Sequence, residues 1–239
     1  MIKKFAKKVL KIAAGNAEAT DPHKISFSQS GEDIIIEYLL GLRNITIPTF
    51  LDIGGYHPVY ANNTYKFFLK GSRGVNIDAN PVAIEIFNKK RPQDVNLNIG
   101  VGSKEGTFPF YIMEEESLNT FSEEEMHNLK SLGHRVKQQI DIRVVEVNKI
   151  LEEYFKGGCD LFSLDAEGVD FEIIQSFDFD KYAPKVICVE TINYTPDGTG
   201  SKRTDLCHYI EEKGYFEYAN TNINSIYVNK NWWFNKPVK

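Results

Sequence analysis

The sequence predicts an α/β fold: a mostly parallel sheet with helices on both faces, ending in an antiparallel hairpin. Three observations predict it. Short apolar runs that end in acids recur along the chain, at Phe50–Asp52, Gly74–Asp78, Cys159–Asp165 and Lys185–Glu190. Helix-like stretches separate these runs, and strands alternating with helices are how a parallel sheet is written in sequence. Near the C-terminus two strand-like runs, Tyr215–Ala219 and Ser225–Val228, bracket the turn-forming segment Asn220–Asn224, which reads as a closing hairpin.

Composition bounds what the fold can serve. The chain has 239 residues, enough for one α/β domain with appendages. A net charge of −5 argues against nucleic acid as the main partner, because no basic face can be assumed. Cys159, Cys188 and Cys207 are widely spaced and no C-x-x-C occurs, so they read as buried reduced thiols of a cytoplasmic protein. No apolar run reaches the length of a membrane span. The chain divides into a basic arm, residues 1–25, and one domain, residues 26–239. Within the arm Lys3, Lys4, Lys7, Lys8 and Lys11 border Ile2, Phe5, Val9, Leu10 and Ile12. On a helix this pattern suits peripheral contact with the inner face of a membrane through residues 1–15. The competing reading is a packed or disordered arm.

Taken in order, Ser26–Asp33 is polar, and Ser30 is the expected N-cap of a helix through Leu40, with Glu32 and Asp33 in its first turn. Phe50–Ile53 is the first strand, and Tyr65–Leu69 is the helix behind it, capped by Asn62–Thr64 and stopped at Gly71. Asn80 and Pro81 open the next helix, through Lys90. Val95–Gly100 is the third strand. Phe108, Phe110 and Ile112 alternate, as do Ile140, Ile142 and Val144, so two further strands flank an insertion, Met113–Gln139. Its acid runs read as solvated helix faces. Helices follow at Val145–Phe155, Val169–Phe177 and residues 205–213. The loop Tyr194–Thr204 is placed to act as a lid.

The turn after the first strand carries the chemistry. Asp52-Ile53-Gly54-Gly55-Tyr56-His57-Pro58 lacks the G-x-G-x-x-G that turns backbone N–H groups to a pyrophosphate, and no Walker loop follows. What remains is Asp-x-Gly, the form with which class I methyltransferases hold S-adenosylmethionine, a ligand with a sulfonium cation and no phosphate. Asp78, ending the second strand, is placed for the ribose hydroxyls. In an open parallel sheet ligands sit beyond the carboxyl ends of the strands, so Asp52, Asp78, Asp165 and Glu190 are expected on one rim.

In this order, Ser28-Gln29-Ser30-Gly31-Glu32-Asp33, Leu51–Pro58, Asn63-Thr64, Arg73–Pro81, Leu118-Asn119-Thr120, Leu161–Gly168 and Pro184–Glu190 resemble the FkbM family of S-adenosylmethionine-dependent methyltransferases over about residues 26–230. Ala166 and Gly55 depart from the commoner family wording, valine and alanine. The resemblance implies a Rossmann-like class I methyltransferase fold with a seven-stranded sheet. It implies O-methyl transfer to a sugar or glycan acceptor, in polysaccharide or natural-product biosynthesis. Gln29, Glu32, Asp52, Gly54, Tyr56, Asp78 and Asn80 are the expected cofactor residues. An alcohol needs a base or a metal to loosen its proton. The candidate bases are Asp165, Glu167, Glu190 and His57, and Asp165 with Glu190 could hold Mg²⁺. Two other readings stay open: a nucleotide-sugar or dinucleotide enzyme on a related fold, and a non-catalytic adaptor docked on membranes.

Overall fold

A computed structural model describes residues 24–166, 168–193, 195 and 199–235. The proposed membrane-facing segment and Glu167 lie outside the described residues. Among the described residues no helix is long and apolar enough to cross a membrane.

Seven strands form the main sheet: β1 (Phe50–Ile53), β2 (Gly74–Ile77), β3 (Val95–Leu97), β7 (Leu161–Leu164), β8 (Val186–Glu190), β9 (Tyr215–Asn220) and β10 (Asn224–Asn229). Their order across the sheet is β3-β2-β1-β7-β8-β10-β9. The pairs from β3 to β8 are parallel, and β10 runs antiparallel to both β8 and β9. This is the predicted sheet with its closing hairpin. The chain leaves β1 toward β2 on one side and later returns to β7 on the other. The boundary between β1 and β7 is therefore the switch point at which such sheets open a crevice.

Alternation along the strands divides the core. Leu51, Ile53, Phe162, Leu164, Ile187 and Val189 pack on one face, against α5 (Val147–Tyr154), α6 (Asp170–Ser176) and α8 (Thr204–Glu212). Phe50, Leu161, Val186 and Cys188 pack on the other, against α1 (Glu32–Gly41) and α2 (Tyr65–Leu69). Successive residues of a strand point to opposite faces, and both faces are covered, so these strands read as continuous apolar runs. The three cysteines are free and buried, as expected.

Between β3 and α5 the chain builds a second sheet of three strands, in the order β4-β6-β5. These are β4 (Gly100–Gly102), β5 (Gly106–Met113) and β6 (Val136–Glu146). The two predicted alternating strands are present, but they pair with each other in this arm and not in the main sheet. The single strand expected over Val95–Gly100 divides, Val95–Leu97 joining the main sheet and Gly100–Gly102 the arm. The insertion between β5 and β6 holds α4 (Glu123–Ser131), and of the two acid runs read as solvated helix faces only Glu123–Glu125 lies on it, in its first turn. The remaining helices are α3 (Pro81–Lys90), α7 (Phe179–Tyr182) and α9 (Lys230–Phe234). Asn80 caps α3 by accepting from the Val82 N–H, with Pro81 at the first position. The α1 cap differs from expectation. Gly31 takes the N-cap position in a left-handed conformation, and the hydroxyl of Ser28, not Ser30, accepts the Asp33 N–H at 2.9 Å.

Candidate functional site

A cavity of about 730 Å³ opens over the carboxyl ends of β2, β1, β7 and β8. Its volume lies in the upper part of the range typical of small-molecule sites. Gln29, Gly54, Tyr56, His57, Asp78, Asn80, Asp165 and Glu190 line it, so eight of the residues expected from sequence converge there. The arm supplies the opposite wall through Phe110 and residues 117–121, which the sequence reading had not assigned to the site.

The turn at Gly54 is built on backbone proximity. Gly54 has φ +76°, and a Cβ there would collide with the Asp165 carbonyl, so β1 and β7 approach closely only because this residue is glycine. Tyr56 and Ala61, also in the wall, sit at φ 49°, a conformation unfavourable for side-chain-bearing residues. The N–H groups of this turn are already engaged. Gly54 N and Gly55 N donate to the Ile77 carbonyl at 2.9 and 3.3 Å. Tyr56 N donates to Asp78 Oδ2 at 2.9 Å, and Asn80 N donates to Asp78 Oδ1 at 2.7 Å. No donor in Gly54–Tyr56 is left to cradle a pyrophosphate. Asp78 is held by two main-chain donors with its carboxylate in the wall, where it can accept from vicinal hydroxyls of a ribose. Cavity, engaged turn and fixed acid fit S-adenosylmethionine.

Two expected cofactor residues do not reach the cavity. Asp52 lies inside β1, two residues before Gly54, and alternation turns its side chain away from the cavity. Its Oδ2 accepts from Asn62 Nδ2 at 3.1 Å and Thr64 Oγ1 at 2.8 Å. Burial pushes its carboxyl up, opposed by Arg91 and by hydrogen bonds from Thr64, Ser163 and Asn62. Glu32 is also buried. It accepts from Thr221 Oγ1 at 2.6 Å, Asn224 Nδ2 at 3.0 Å and Ser30 N at 2.8 Å. It thereby ties α1 to the hairpin turn and does not line the cavity.

Asp52 belongs to a buried polar cluster that supports the turn from below. Arg91, fully buried, pairs with Asp94 at 2.8 Å and donates through Nη1 to Asn62 Oδ1 at 3.1 Å and Thr64 Oγ1 at 3.0 Å. Asn62 then donates to the Gly55 carbonyl at 3.3 Å. The guanidinium lies over the rings of Phe50, Phe68 and Phe87. This group was not legible, since a basic residue after a helix looks like an ordinary last-turn charge.

Asp165 follows β7 and Glu190 ends the adjacent parallel strand β8, and both are half-buried in the cavity wall. Among the described residues no polar partner meets the buried Oδ1 of Asp165. Desolvation, then Asp170, Asp52, Asp78 and Glu32, push the Asp165 carboxyl up to about 7. Desolvation, then Asp165 and Asp170, push Glu190 up to about 9, with Arg203 pulling the other way. Arg203 donates to Asp170 Oδ2 at 3.1 Å, and Asp170 Oδ1 accepts the Ala166 N–H at 2.7 Å. Asp170 and Arg203, missed in the sequence, thus hold the loop after β7.

His57 lines the cavity but is poorly placed as a base. Its Nδ1 accepts from Val59 N at 3.1 Å and Tyr60 N at 3.3 Å, and its ring stacks on Tyr60. With that lone pair engaged, the neutral ring carries its proton on Nε2. Burial and nearby Lys90 lower its pKa, which keeps it neutral and a donor. No group of three His, Cys, Asp or Glu among the described residues is arranged to hold a metal ion. Asp165 and Glu190, the pair expected to hold Mg²⁺, are joined by no third acidic, histidine or cysteine ligand among the described residues. The stem of the expected lid closes through a bridge between Ile192 and Lys202, and Ile192 and Thr195 face the cavity.

The model of the FkbM methyltransferase domain matches residues 52–216. The chain belongs to this family. No curated protein matches the chain. Among solved structures it is similar to a TehB-like SAM-dependent methyltransferase from Corynebacterium glutamicum, with 12% identity and a TM-score of 0.44 over 95% of this chain and 97% of that one. An O-methyltransferase from Bacillus cereus in complex with SAH matches at 13% identity and a TM-score of 0.42, over 93% of this chain and 87% of that one. A putative O-methyltransferase from Klebsiella pneumoniae gives 11% identity and 0.39, over 93% and 95%. As an FkbM-family protein the chain is an S-adenosylmethionine-dependent methyltransferase.

Two outcomes are expected. Asn62→Ala removes the anchor on Gly55 and a partner of Arg91. Stability in denaturant should fall by about 1–3 kcal/mol, and calorimetry should show weaker binding of S-adenosylhomocysteine. Glu190 goes from an ordinary 4.5 to about 9 on folding. Its contribution to stability is therefore fully present below about 4.5 and is lost as pH rises through about 9. Glu190→Gln should flatten the fall of Tm across that interval, read by calorimetric scans at stepped pH.

Proposed function

We propose that this FkbM-family protein is an O-methyltransferase that methylates a sugar hydroxyl, in the assembly of a polysaccharide or natural product. The observation that carries the reading is the pair Asp165 and Glu190 on adjacent strand ends, one carboxyl near neutrality and the other well above it. A general base is most effective when its pKa lies near the working pH, which favours Asp165 for taking the hydroxyl proton. Glu190, protonated at neutral pH, suits donation of a hydrogen bond that orients the acceptor. Two titratable groups pushed apart by their surroundings divide such roles naturally.

S-adenosylmethionine supplies a methyl group activated on a sulfonium. Around it, Asp78 is assigned to the ribose hydroxyls, and the His57 Nε2–H and the Gln29 amide to the amino-acid end. The chain's main contribution to rate is alignment. Holding an acceptor oxygen in line with the reacting carbon can supply roughly 7–11 kcal/mol of the barrier. The engaged N–H groups of Gly54–Tyr56 weigh against the dinucleotide alternative.

Asp165→Asn should lower kcat by about 10²–10⁴ and leave S-adenosylhomocysteine affinity within a few-fold, measured by methyl-transfer assay and calorimetry. Unchanged kcat would remove Asp165 from the chemistry.

A further inference from the structure

The charge of the cavity wall restricts the acceptor. Asp78, Asp165 and Glu190 line it, and no lysine or arginine does so among the described residues. Of the cations behind the wall, Arg203 is engaged with Asp170, and Lys90 stands near His57 without lining the cavity. The main-chain donors at Gly54, Gly55, Tyr56 and Asn80 are taken by Ile77 and Asp78. The cofactor's own carboxylate has the His57 and Gln29 donors assigned to it, but a phosphate or carboxylate on the acceptor beside Asp165 and Glu190 would meet carboxyl groups, would find no cation lining the wall and no free N–H in the Gly54–Tyr56 turn, and would lose its water. A hydroxyl-bearing ring finds the opposite: carboxyl groups that accept and donate hydrogen bonds, and apolar surface from Phe110 and Phe121 on the arm.

We infer that the reacting unit of the acceptor enters the cavity uncharged or bearing an amine, and that any phosphate or carboxylate on the acceptor stays outside the wall formed by β1, β7, β8 and the arm. This rests on the O-methyl transfer reading and narrows it. A sugar already linked to a nucleotide or lipid phosphate would have to present its ring with that phosphate in solvent. A uronic acid or a ring-phosphorylated sugar is excluded as the reacting unit. An amine on the ring would be favoured, because an ammonium beside Asp165 and Glu190 restores the ionised form of both carboxyls.

The test uses the full chain with S-adenosylmethionine and matched acceptors on several hexose scaffolds: the methyl glycoside, its amino-sugar counterpart, its phosphorylated counterpart and its uronate. The neutral and amino forms should be methylated, with kcat/KM about tenfold or more above the anionic forms. Preference for a phosphorylated or uronate acceptor overturns the inference and leaves O-methyl transfer standing. If no acceptor of any charge is methylated while S-adenosylhomocysteine binds, the sugar reading fails. The charge inference is then decided by a second measurement. Inorganic phosphate is titrated calorimetrically, against chloride at matched ionic strength, into the chain already saturated with S-adenosylhomocysteine, so that the donors for the ligand's own carboxylate are occupied. Absence of saturable phosphate binding supports exclusion of anions from the acceptor side, and saturable phosphate binding to that complex overturns it.

Discussion

Two carboxyl groups, Asp165 and Glu190, stand at the ends of adjacent parallel strands, and among the described residues no lysine or arginine lines the cavity wall facing them. A parallel sheet brings this about almost unavoidably. Its strands end at one edge, and residues that follow β7 and end β8 in register must be neighbours. In water two such acids would ionise independently. Here burial raises both, with Asp170 and other nearby acids adding to it at Asp165, and Asp165 and Asp170 adding to it at Glu190, so their protonation answers to whatever enters the cavity. The proposed choice of base and the proposed exclusion of anions both start from this one electrostatic arrangement.

The arrangement needs rigid support, because the loop opposite Asp165 is strained. Gly54, Tyr56 and Ala61 all have positive φ. The cluster of Asp52, Asn62, Thr64, Arg91 and Asp94 holds that loop from beneath with charge-assisted hydrogen bonds. Among the described residues no hydrogen-bond partner meets Arg91 Nη2, so removing a further partner would leave a buried charge still less compensated. The cluster is buried under the turn, so the side chain of Asp52, though close to the glycines, does not line the cavity.

Much of this was legible in sequence, for physical reasons that also show where legibility ended. Short apolar runs punctuated by Gly, Asn and Pro identified the strands, because both faces of the sheet are buried. Asp78, Asp165 and Glu190 could be placed on the rim because each follows or ends a strand. Asp52 looked equivalent, but it precedes the end of β1 by one residue, and the pleat sends it to the other face. Phe108–Ile112 and Ile140–Val144 were readable as strands, yet their pairing into a separate arm depends on non-local contacts that periodicity does not encode. Arg91 carried no signal at all, since nothing local distinguishes a buried arginine from a solvated one. The engagement of His57 Nδ1 by two main-chain N–H groups likewise needed the turn's geometry.

The claim that these raised carboxyls answer to a bound cation is tested most directly by proton linkage. S-adenosylmethionine and S-adenosylhomocysteine are titrated calorimetrically near neutral pH in buffers of different ionisation enthalpy, with the wild-type chain and with an Asp165→Asn, Glu190→Gln double variant. The account predicts that the sulfonium ligand releases more protons than the neutral thioether, and that the double variant abolishes this difference. Equal proton release by both ligands in the wild type, or a difference that survives in the double variant, would contradict it.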